Sequence, residues 1–274
     1  MSAQTARAPK EDAPLLLRET IGSVAVITFN RPAQRNTLSE EVIAALHAAL
    51  DEIATDKTVR ALVIASQGPA FSSGHDLKQL TSHRSDADGG RAYCARTMQA
   101  CSAMMQAIVS LPKPVIAAVQ GIATAAGCQL VASCDMAVAS DDARFATSGI
   151  DNGLFCSTPM VALSRNVPRK HAMEMLMTGE PISARRAMEI GLVNQVVPAG
   201  QERDAAIALA QKVARKSAYA IKLGKQAFYR QAEMSLAEAY RFTAEVMTEN
   251  MMAFDAKEGI GAFIEKREPK WRDE

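Results

Sequence analysis

The sequence predicts an α/β fold followed by a region built only of helices. Short apolar runs alternate with helical repeats through the first two thirds of the 274 residues, and strand-like runs stop after about Pro198. Strands separated by helices imply crossover connections between strands of a sheet, with loops at the ends of that sheet. The length suits one large domain, or one domain with an appendage.

The first elements read as a hairpin, a helix and a buried strand. Residues 15–18 and 24–30 are strand-like and turn at Gly22. Ser39 is a suitable N-cap for the helix that follows. Its apolar face repeats at helical spacing, through Val42, Leu46, Leu50 and Ile53. Residues 61–65 then form a buried strand.

The alternation continues and then gives way to helices. We predict helices at 92–111 and 126–133, strands at 114–119 and 135–139, and an almost entirely helical region over 201–266. A helical region with this much apolar surface is expected to pack on the core or on a neighbouring subunit. Methionines in the helical stretches are predicted to fill the core; they are Met98, Met104, Met105, Met173, Met175, Met177, Met251 and Met252.

Composition excludes several classes of partner. The 31 Lys and Arg residues nearly balance 30 Asp and Glu residues, so no global field recruits nucleic acid or an anionic membrane. Five cysteines without Cys-x-x-Cys pairing and four scattered histidines favour buried thiols in a reducing compartment and argue against a metal site. The first dozen residues lack the apolar stretch of a secretory signal, and we predict a short disordered tail at 1–12.

Two loops carry the chemical signal. Residues 71–77 read Phe-Ser-Ser-Gly-His-Asp-Leu after one buried strand, and residues 120–129 are rich in Gly and Ala after the next. Small residues let the backbone approach a ligand closely. The second loop opens a helix whose first N–H groups have no partner within the helix. Together the two turns can aim two N–H groups at one carbonyl oxygen, which makes an oxyanion hole.

These motifs, in this order, resemble those of the crotonase superfamily, the enoyl-CoA hydratase and isomerase fold. The resemblance runs from about residue 15 to 271. It is strongest to the enoyl-CoA hydratase domain-containing branch, which shares the Ser-Ser-Gly-His-Asp-Leu and Gly-Cys-Gln-Leu motifs. Further matching segments are 35–38, 112–117, 134–135, 176–179, 182–184, 191–193 and 263–267.

The resemblance implies a spiral of ββα units over residues 13–200 and a helical trimerisation region over 201–274. It implies a homotrimer or a homohexamer, no permanently bound cofactor, and coenzyme A as part of the substrate. The oxyanion donors would be the backbone N–H groups of His75 and Ala126. Coenzyme A would lie near Asn36, Thr37, Leu38, Asp76 and Leu77, and a neighbouring subunit would add Phe263 and Lys266.

The chain departs from the family pattern at the proton carriers. Hydratases of this family add water across a double bond with two glutamates, and these positions match Gln129 and Gly149. A positioned acid or base is worth roughly 10² to 10⁴ in rate. An amide and a glycine offer no such group at neutral pH, so classical hydration is expected to be several orders of magnitude slower.

Several residues could supply other chemistry. Asp151, two residues beyond the second replaced position, is the first candidate for a substitute base, and a cap of a helix or loop is the simpler interpretation. His75 and His83 are alternatives, since imidazole titrates near neutrality. Cys128 and Cys156 could act as thiol nucleophiles, although buried inert thiols are the simpler interpretation.

Two functions of different classes remain open. The first is an enzyme that acts on an acyl-CoA thioester through an enolate, in fatty-acid metabolism, with Asp151 or an unrecognised group as base. The second is a non-catalytic acyl-CoA binding or scaffold protein. The predicted location is the cytoplasm for a bacterial chain or the mitochondrial matrix for a eukaryotic one.

Overall fold

A computed structural model describes residues 13–274, and the tail predicted at 1–12 lies outside the described residues. The strands are β1 (Leu16–Ile21), β2 (Val24–Phe29), β3 (Ala61–Ser66), β4 (Ala70–Ser72), β5 (Val115–Val119), β6 (Ile122–Thr124), β7 (Met136–Ser140), β8 (Arg144–Ala146), β9 (Ile182–Ser183) and β10 (Gln195–Val197).

The helices alternate with these strands and then continue alone. They are α1 (Glu40–Thr55), α2 (Leu77–Ser82), α3 (Arg91–Ser110), α4 (Ala126–Ser133), α5 (Pro159–Asn166), α6 (Arg169–Thr178), α7 (Ala184–Glu189), α8 (Glu202–Ala214), α9 (Ala218–Gln231), α10 (Leu236–Met252) and α11 (Phe254–Glu265). Short 3₁₀ segments lie at Pro32–Gln34, His83–Ser85 and Ser148–Asn152. No helix of residues 13–274 is long and apolar enough to cross a membrane.

The larger sheet has six strands in the order β1-β2-β3-β5-β7-β10. The β1–β2 pair is the predicted hairpin and is antiparallel, whereas the other neighbours are parallel. The central strands are buried on both sides, which explains their continuous apolar runs. One face packs against a core that includes α1 and α3, and the other packs against α8.

The predicted N-cap of α1 is confirmed. The Ser39 hydroxyl accepts a hydrogen bond from the Val42 N–H at 3.3 Å. The helix then buries its apolar stripe, including Leu46 and Leu50. This face packs with α3 on the larger sheet, as the periodicity predicts.

A second sheet was missed by the sequence reasoning. Its four strands have the order β4-β6-β8-β9. The sequence placed 71–72 and 122–124 in loops, but β4 and β6 pair in parallel there. Runs of three residues are too short to give a period-2 signal.

The helical C-terminal region divides into two parts. Helix α8 covers the second face of the larger sheet through Ala206, Ile207 and Ala210, so the first helix of the predicted region belongs to the core packing. Helices α9 to α11 expose large apolar side chains. These are Phe228, Leu236, Tyr240, Met247, Met251, Met252, Ile260, Phe263 and Ile264.

The prediction that the methionines fill the core is correct for some and wrong for others. Met104, Met105 and Met175 are buried, because they lie on helix faces that contact the sheet or its covering helices. Met173, Met177, Met251 and Met252 are exposed on α6 and α10. Apolar periodicity identifies a face of a helix but does not show whether the same chain covers it.

Candidate active site

The two glycine-rich loops meet at the carboxyl ends of neighbouring strands. Strand β3 leads through β4 to His75, and β5 leads through β6 to Ala126. Both β3 and β5, and then β4 and β6, are adjacent pairs. The topology therefore brings the two predicted oxyanion residues together, although about 50 residues separate them in the sequence.

The first loop aims the His75 N–H toward the second. Leu38 forms a parallel bridge with His75, and its N–H donates to the Gly74 carbonyl at 2.8 Å. In such a bridge the partner strand bonds to the residues on either side of His75, so the His75 N–H points to the opposite side. Gly74 adopts φ +84°, and a β-carbon there would lie 3.2 Å from the Ala126 nitrogen.

The second loop ends where α4 begins. Ala125 has φ +50°, and its N–H donates to the Ala146 carbonyl at 3.0 Å, which fixes the turn. A side chain on Gly127 would overlap the Ser72 carbonyl, so the two loops pack backbone to backbone. Within residues 13–274, neither the His75 nor the Ala126 N–H has a backbone acceptor. The geometry suits two donors that converge on one oxygen.

Gln129 lies one turn after Ala126 on the same side of α4. Gln129 is 5% exposed, and its Oε1 is buried without a hydrogen-bond partner within residues 13–274. The Nδ1 and Nε2 atoms of His75 are also buried without a partner in the described chain. Burial lowers the pKa of His75 below its ordinary value of 6.5 and outweighs an opposing contact between the ring and the Leu38 backbone, so the imidazole is neutral at neutral pH.

The space beside Gly149 is already filled. A β-carbon there would lie 2.6 Å from the Leu154 carbonyl oxygen and 2.8 Å from the Cys156 Sγ. The loop is closed by hydrogen bonds from the Leu154 N–H to the Gly149 carbonyl, at 2.9 Å, and from the Gly153 N–H to the Ile150 carbonyl, at 3.0 Å. A longer side chain at 149 therefore requires this segment to move.

Asp151 is exposed in the 3₁₀ segment that contains Gly149. Its carboxylate oxygens would lie 3.1 and 3.2 Å from a β-carbon on Gly179, which ends α6. In this conformation the side chain is directed to the end of that helix. A role as a base would require the carboxylate to rotate.

Several residues predicted near coenzyme A also hold the first loop in place. The Asn36 amide donates to the Gln67 carbonyl at 2.8 Å and to the Ala70 carbonyl at 2.7 Å. The Asp76 carboxylate caps α2 by accepting the N–H groups of Lys78 and Gln79, at 2.9 and 3.2 Å. The Asp76 side chain therefore fixes the turn that leads into α2.

The other residues predicted near coenzyme A differ in exposure. Thr37 is half-buried, Leu38 is buried and Leu77 is exposed. Leu38 is only 1% exposed, so its side chain is not open to a ligand in this conformation. Phe263 and Lys266, at the end of α11, are both exposed.

The remaining candidates do not form a recognisable catalytic pair. Burial raises the pKa of Cys128 to about 12 and also raises that of Cys156, so both thiols are protonated at neutral pH. His83 lies 2.8 Å from the Asp86 carboxylate and stacks on Tyr93. The described residues contain no group of three or more potential metal ligands.

Sequence reasoning did not identify the part that Leu154 and Cys156 play at this site. Their contacts with Gly149 arise from a loop that folds back over five to seven residues. The only sequence signal is the glycine itself, which marks a close approach without indicating what approaches.

The two sheets and the helices that cover them define a crotonase-fold protein. The model of the enoyl-CoA hydratase/isomerase family matches residues 19–274. The chain belongs to this family, which confirms the resemblance drawn from the motifs.

Named relatives and solved structures agree with this assignment. Enoyl-CoA hydratase domain-containing protein 3, mitochondrial, from Xenopus laevis is 48% identical over 94% of this chain and 86% of that protein. A crystal structure of an enoyl-CoA hydratase from Mycobacterium smegmatis is 50% identical, with TM-score 0.89, over 94% and 99% of the two chains. The human domain-containing protein 3 structure is 46% identical, with TM-score 0.89, over 94% and 100%.

Proposed function

We propose that this protein binds acyl-CoA thioesters and stabilises their enolates with the N–H groups of His75 and Ala126. The observation that supports this most directly is the packing of Gly74 beside Ala126, with no backbone acceptor for either N–H in the described chain. An oxyanion donor is worth roughly 10² to 10³ in rate. Such a site lowers the barrier to removing a proton next to the thioester carbonyl.

The proposed reaction is not the addition of water. Gln129 and Gly149 stand at the two positions that the resemblance assigns to the catalytic glutamates, and the segment through Leu154 and Cys156 occupies the space beside Gly149. Asp151 is retained as the candidate base. Its carboxylate must turn away from Gly179 to serve, and the Asp151→Asn variant tests that role.

A second function is a binding or scaffold protein for acyl-CoA. The filled space beside Gly149 favours it, since that loop would not accommodate an acid without rearrangement. The two functions share the same ligand and differ only in turnover.

The proposed assembly is a homotrimer or homohexamer in which Phe263 and Lys266 complete the coenzyme A site of a neighbouring subunit. The exposed apolar surface of α9 to α11 supports this assembly. The other proposed contacts with coenzyme A come from Asn36, Thr37, Leu38, Asp76 and Leu77. We place the protein in fatty-acid metabolism, in the cytoplasm or the mitochondrial matrix.

The first experiment measures deuterium exchange at the α-carbon of butyryl-CoA, together with the affinity for this ester. Exchange above the buffer rate is the expected result for the enzyme. Tight binding with exchange at the buffer rate supports the binding protein instead. Absence of binding contradicts both functions.

A second experiment compares the native protein and the Gln129→Glu variant for hydration of crotonyl-CoA. We expect native turnover near background and a gain in the variant, because Gln129 lies in the site and its replacement adds no bulk. Gln99→Glu, on the exposed side of α3, is the matched control. Rapid hydration by the native protein would overturn the inference drawn from the missing glutamates.

A further inference from the structure

A cavity of about 510 Å³ lies at the end of the larger sheet opposite the candidate active site. Its wall includes Arg60 and Lys113, which come just before β3 and β5. His75 and Ala126 instead follow the carboxyl ends of these strands. Strands of this length span about 17 to 20 Å. The cavity is therefore separate from the proposed thioester site.

The wall of the cavity is strongly positive. Two acidic side chains, Asp273 and Glu274, line it together with six basic ones, which are Lys57, Arg60, Lys113, Lys216, Lys222 and Arg272. The whole protein has a formal net charge of only +1, so this excess is local. A concave surface lined by charges of one sign concentrates ions of the opposite sign. The cavity thus favours an anionic ligand.

Most of these cations are not neutralised by the protein. Among the described residues, the ammonium groups of Lys57, Lys216 and Lys222 form no ion pair. The Arg272 guanidinium lies 3.9 Å from the Glu274 carboxylate, which is a loose contact. A ligand with several negative charges would pair with groups that now face only solvent.

The chain itself shows that this cavity holds an anionic group. The Asp273 carboxylate accepts both Nη groups of Arg60, at 2.5 and 3.0 Å, and the Ala218 N–H at 2.7 Å. All three residues line the cavity, and Ala218 is the first residue of α9. An arginine fork and a helix N-terminus are two elements with which proteins bind carboxylates and phosphates. Asp273 occupies one such position, and the unpaired lysines line the rest of the space.

The remaining wall defines the other half of the ligand. It is apolar and aromatic, through Pro112, Val213, Tyr219 and Ile221. Pockets of about 300 to 1,000 Å³ are typical of small-molecule sites. An aromatic ring offers a stacking surface to a nucleobase. A compact group of phosphates joined to a flat ring system matches both parts of the wall.

We propose that this cavity binds a nucleoside di- or triphosphate. Its phosphates pair with Lys57, Lys216, Lys222 and Arg272, and its base packs on Tyr219. A free nucleotide and the nucleotide end of a coenzyme A molecule carry the same groups, so either can be the ligand. Binding here is independent of the turnover proposed at the other end of the sheet.

The test measures the affinity for ADP by titration calorimetry at low ionic strength. Lys57→Glu and Lys222→Glu should each weaken binding at least about tenfold, because each replaces an attraction with a repulsion. Tyr219→Ala should weaken ADP binding more than pyrophosphate binding. Lys212→Glu, on an exposed position of α8 outside the cavity, is the matched control and should bind like the native protein.

A second titration identifies the source of the nucleotide. If ADP binds equally well when butyryl-CoA is saturating, the ligand is a free nucleotide. If butyryl-CoA displaces ADP, and Lys57→Glu and Lys222→Glu weaken both ligands, the cavity holds the nucleotide end of coenzyme A. Both results support a nucleoside phosphate site.

Three results would overturn the proposal. The first is the absence of ADP binding at millimolar concentration. The second is ADP binding that neither Lys57→Glu nor Lys222→Glu weakens, which would place the nucleotide elsewhere. The third is an equal loss of affinity in Lys212→Glu, which would show a general attraction to the protein surface. The three exchanged lysines are exposed, so circular dichroism should show an intact fold in every variant.

Discussion

The Cys156 thiol lies against Gly149, 2.8 Å from the point that a β-carbon on this glycine would occupy. The Leu154 carbonyl oxygen lies 2.6 Å from the same point. The position is therefore closed to any side chain while residues 149–156 keep their conformation. This conformation of the loop therefore requires glycine at position 149.

Gly149→Ala should lower the free energy of unfolding by about 1–3 kcal/mol, the usual cost of overpacking a filled space. Urea unfolding measures the change. Gly224→Ala is the control, since a β-carbon there meets no atom within 4 Å and alanine favours the interior of α9. Equal stability of Gly149→Ala and the native protein would show that the loop moves aside easily.

Gly74→Ala should reduce α-proton exchange by about 10² to 10³, the contribution of one oxyanion donor. A β-carbon there would press on Ala125 at 3.0 Å and on the Ala126 nitrogen at 3.2 Å, moving the two N–H groups apart. Gly22→Ala carries the same positive-φ strain, at +63°, but its β-carbon meets nothing within 4 Å. If the α-proton exchange rate falls equally in both variants, backbone strain alone explains the loss.

The sequence predicted β2, β3, β5 and β7 of the larger sheet because they are buried apolar runs of five or six residues. It did not predict β10 of the same sheet, which has only three residues. It could not predict β4 and β6, whose three residues each carry no periodicity. The assignment of His75 and Ala126 as oxyanion donors came from motif resemblance and stays a prediction. The environment of Gly149 could not be predicted, because the contact with Cys156 depends on how the loop folds back.

The stability of the protein should depend on pH through His75. Its folded-state pKa is depressed by burial below 6.5, so the unfolded chain takes up a proton first as the pH falls. The free energy of unfolding should therefore decrease as the pH falls through about 6.5 and level off below the folded-state pKa. Urea unfolding at a series of pH values measures this dependence, and His75→Leu should make the free energy of unfolding vary less with pH. If the free energy varies with pH equally in the native protein and the variant, the prediction is wrong.

Lys225→Met should destabilise the protein by about 3–5 kcal/mol, the usual result of leaving one buried charge without its partner. The Lys225 Nζ lies 2.7 Å from the Asp135 carboxylate, and their side chains are only 7% and 16% exposed. It also donates to the Ile108 and Lys113 carbonyls, which ties α9 to the core.

Two further variants test this explanation by thermal and urea unfolding. Lys222→Met, on an exposed position of the same helix, should change stability by less than about 0.5 kcal/mol. Adding Asp135→Asn to Lys225→Met should recover part of the loss, because the unpaired charge is removed. If the double variant is no more stable than Lys225→Met, the destabilisation comes from lost packing and not from the unpaired charge.

Phe263→Glu should lower the oligomeric mass measured by light scattering, because a charge at an apolar interface loses its hydration without a partner. Phe263 is 85% exposed in the single chain, so the substitution should leave the circular dichroism spectrum of the fold intact. Truncation before residue 259 is a less specific test. It also removes Asp273, which pairs with Arg60 next to β3 of the same chain.

Met188→Glu is the matched control, since it places the same charge on an exposed apolar residue of α7, away from α9 to α11. Its mass should equal that of the native protein. If Phe263→Glu dissociates the assembly, acyl-CoA affinity should fall with it, because the neighbouring subunit no longer contributes Lys266. An unchanged mass with unchanged affinity would rule out the role of α11 between subunits.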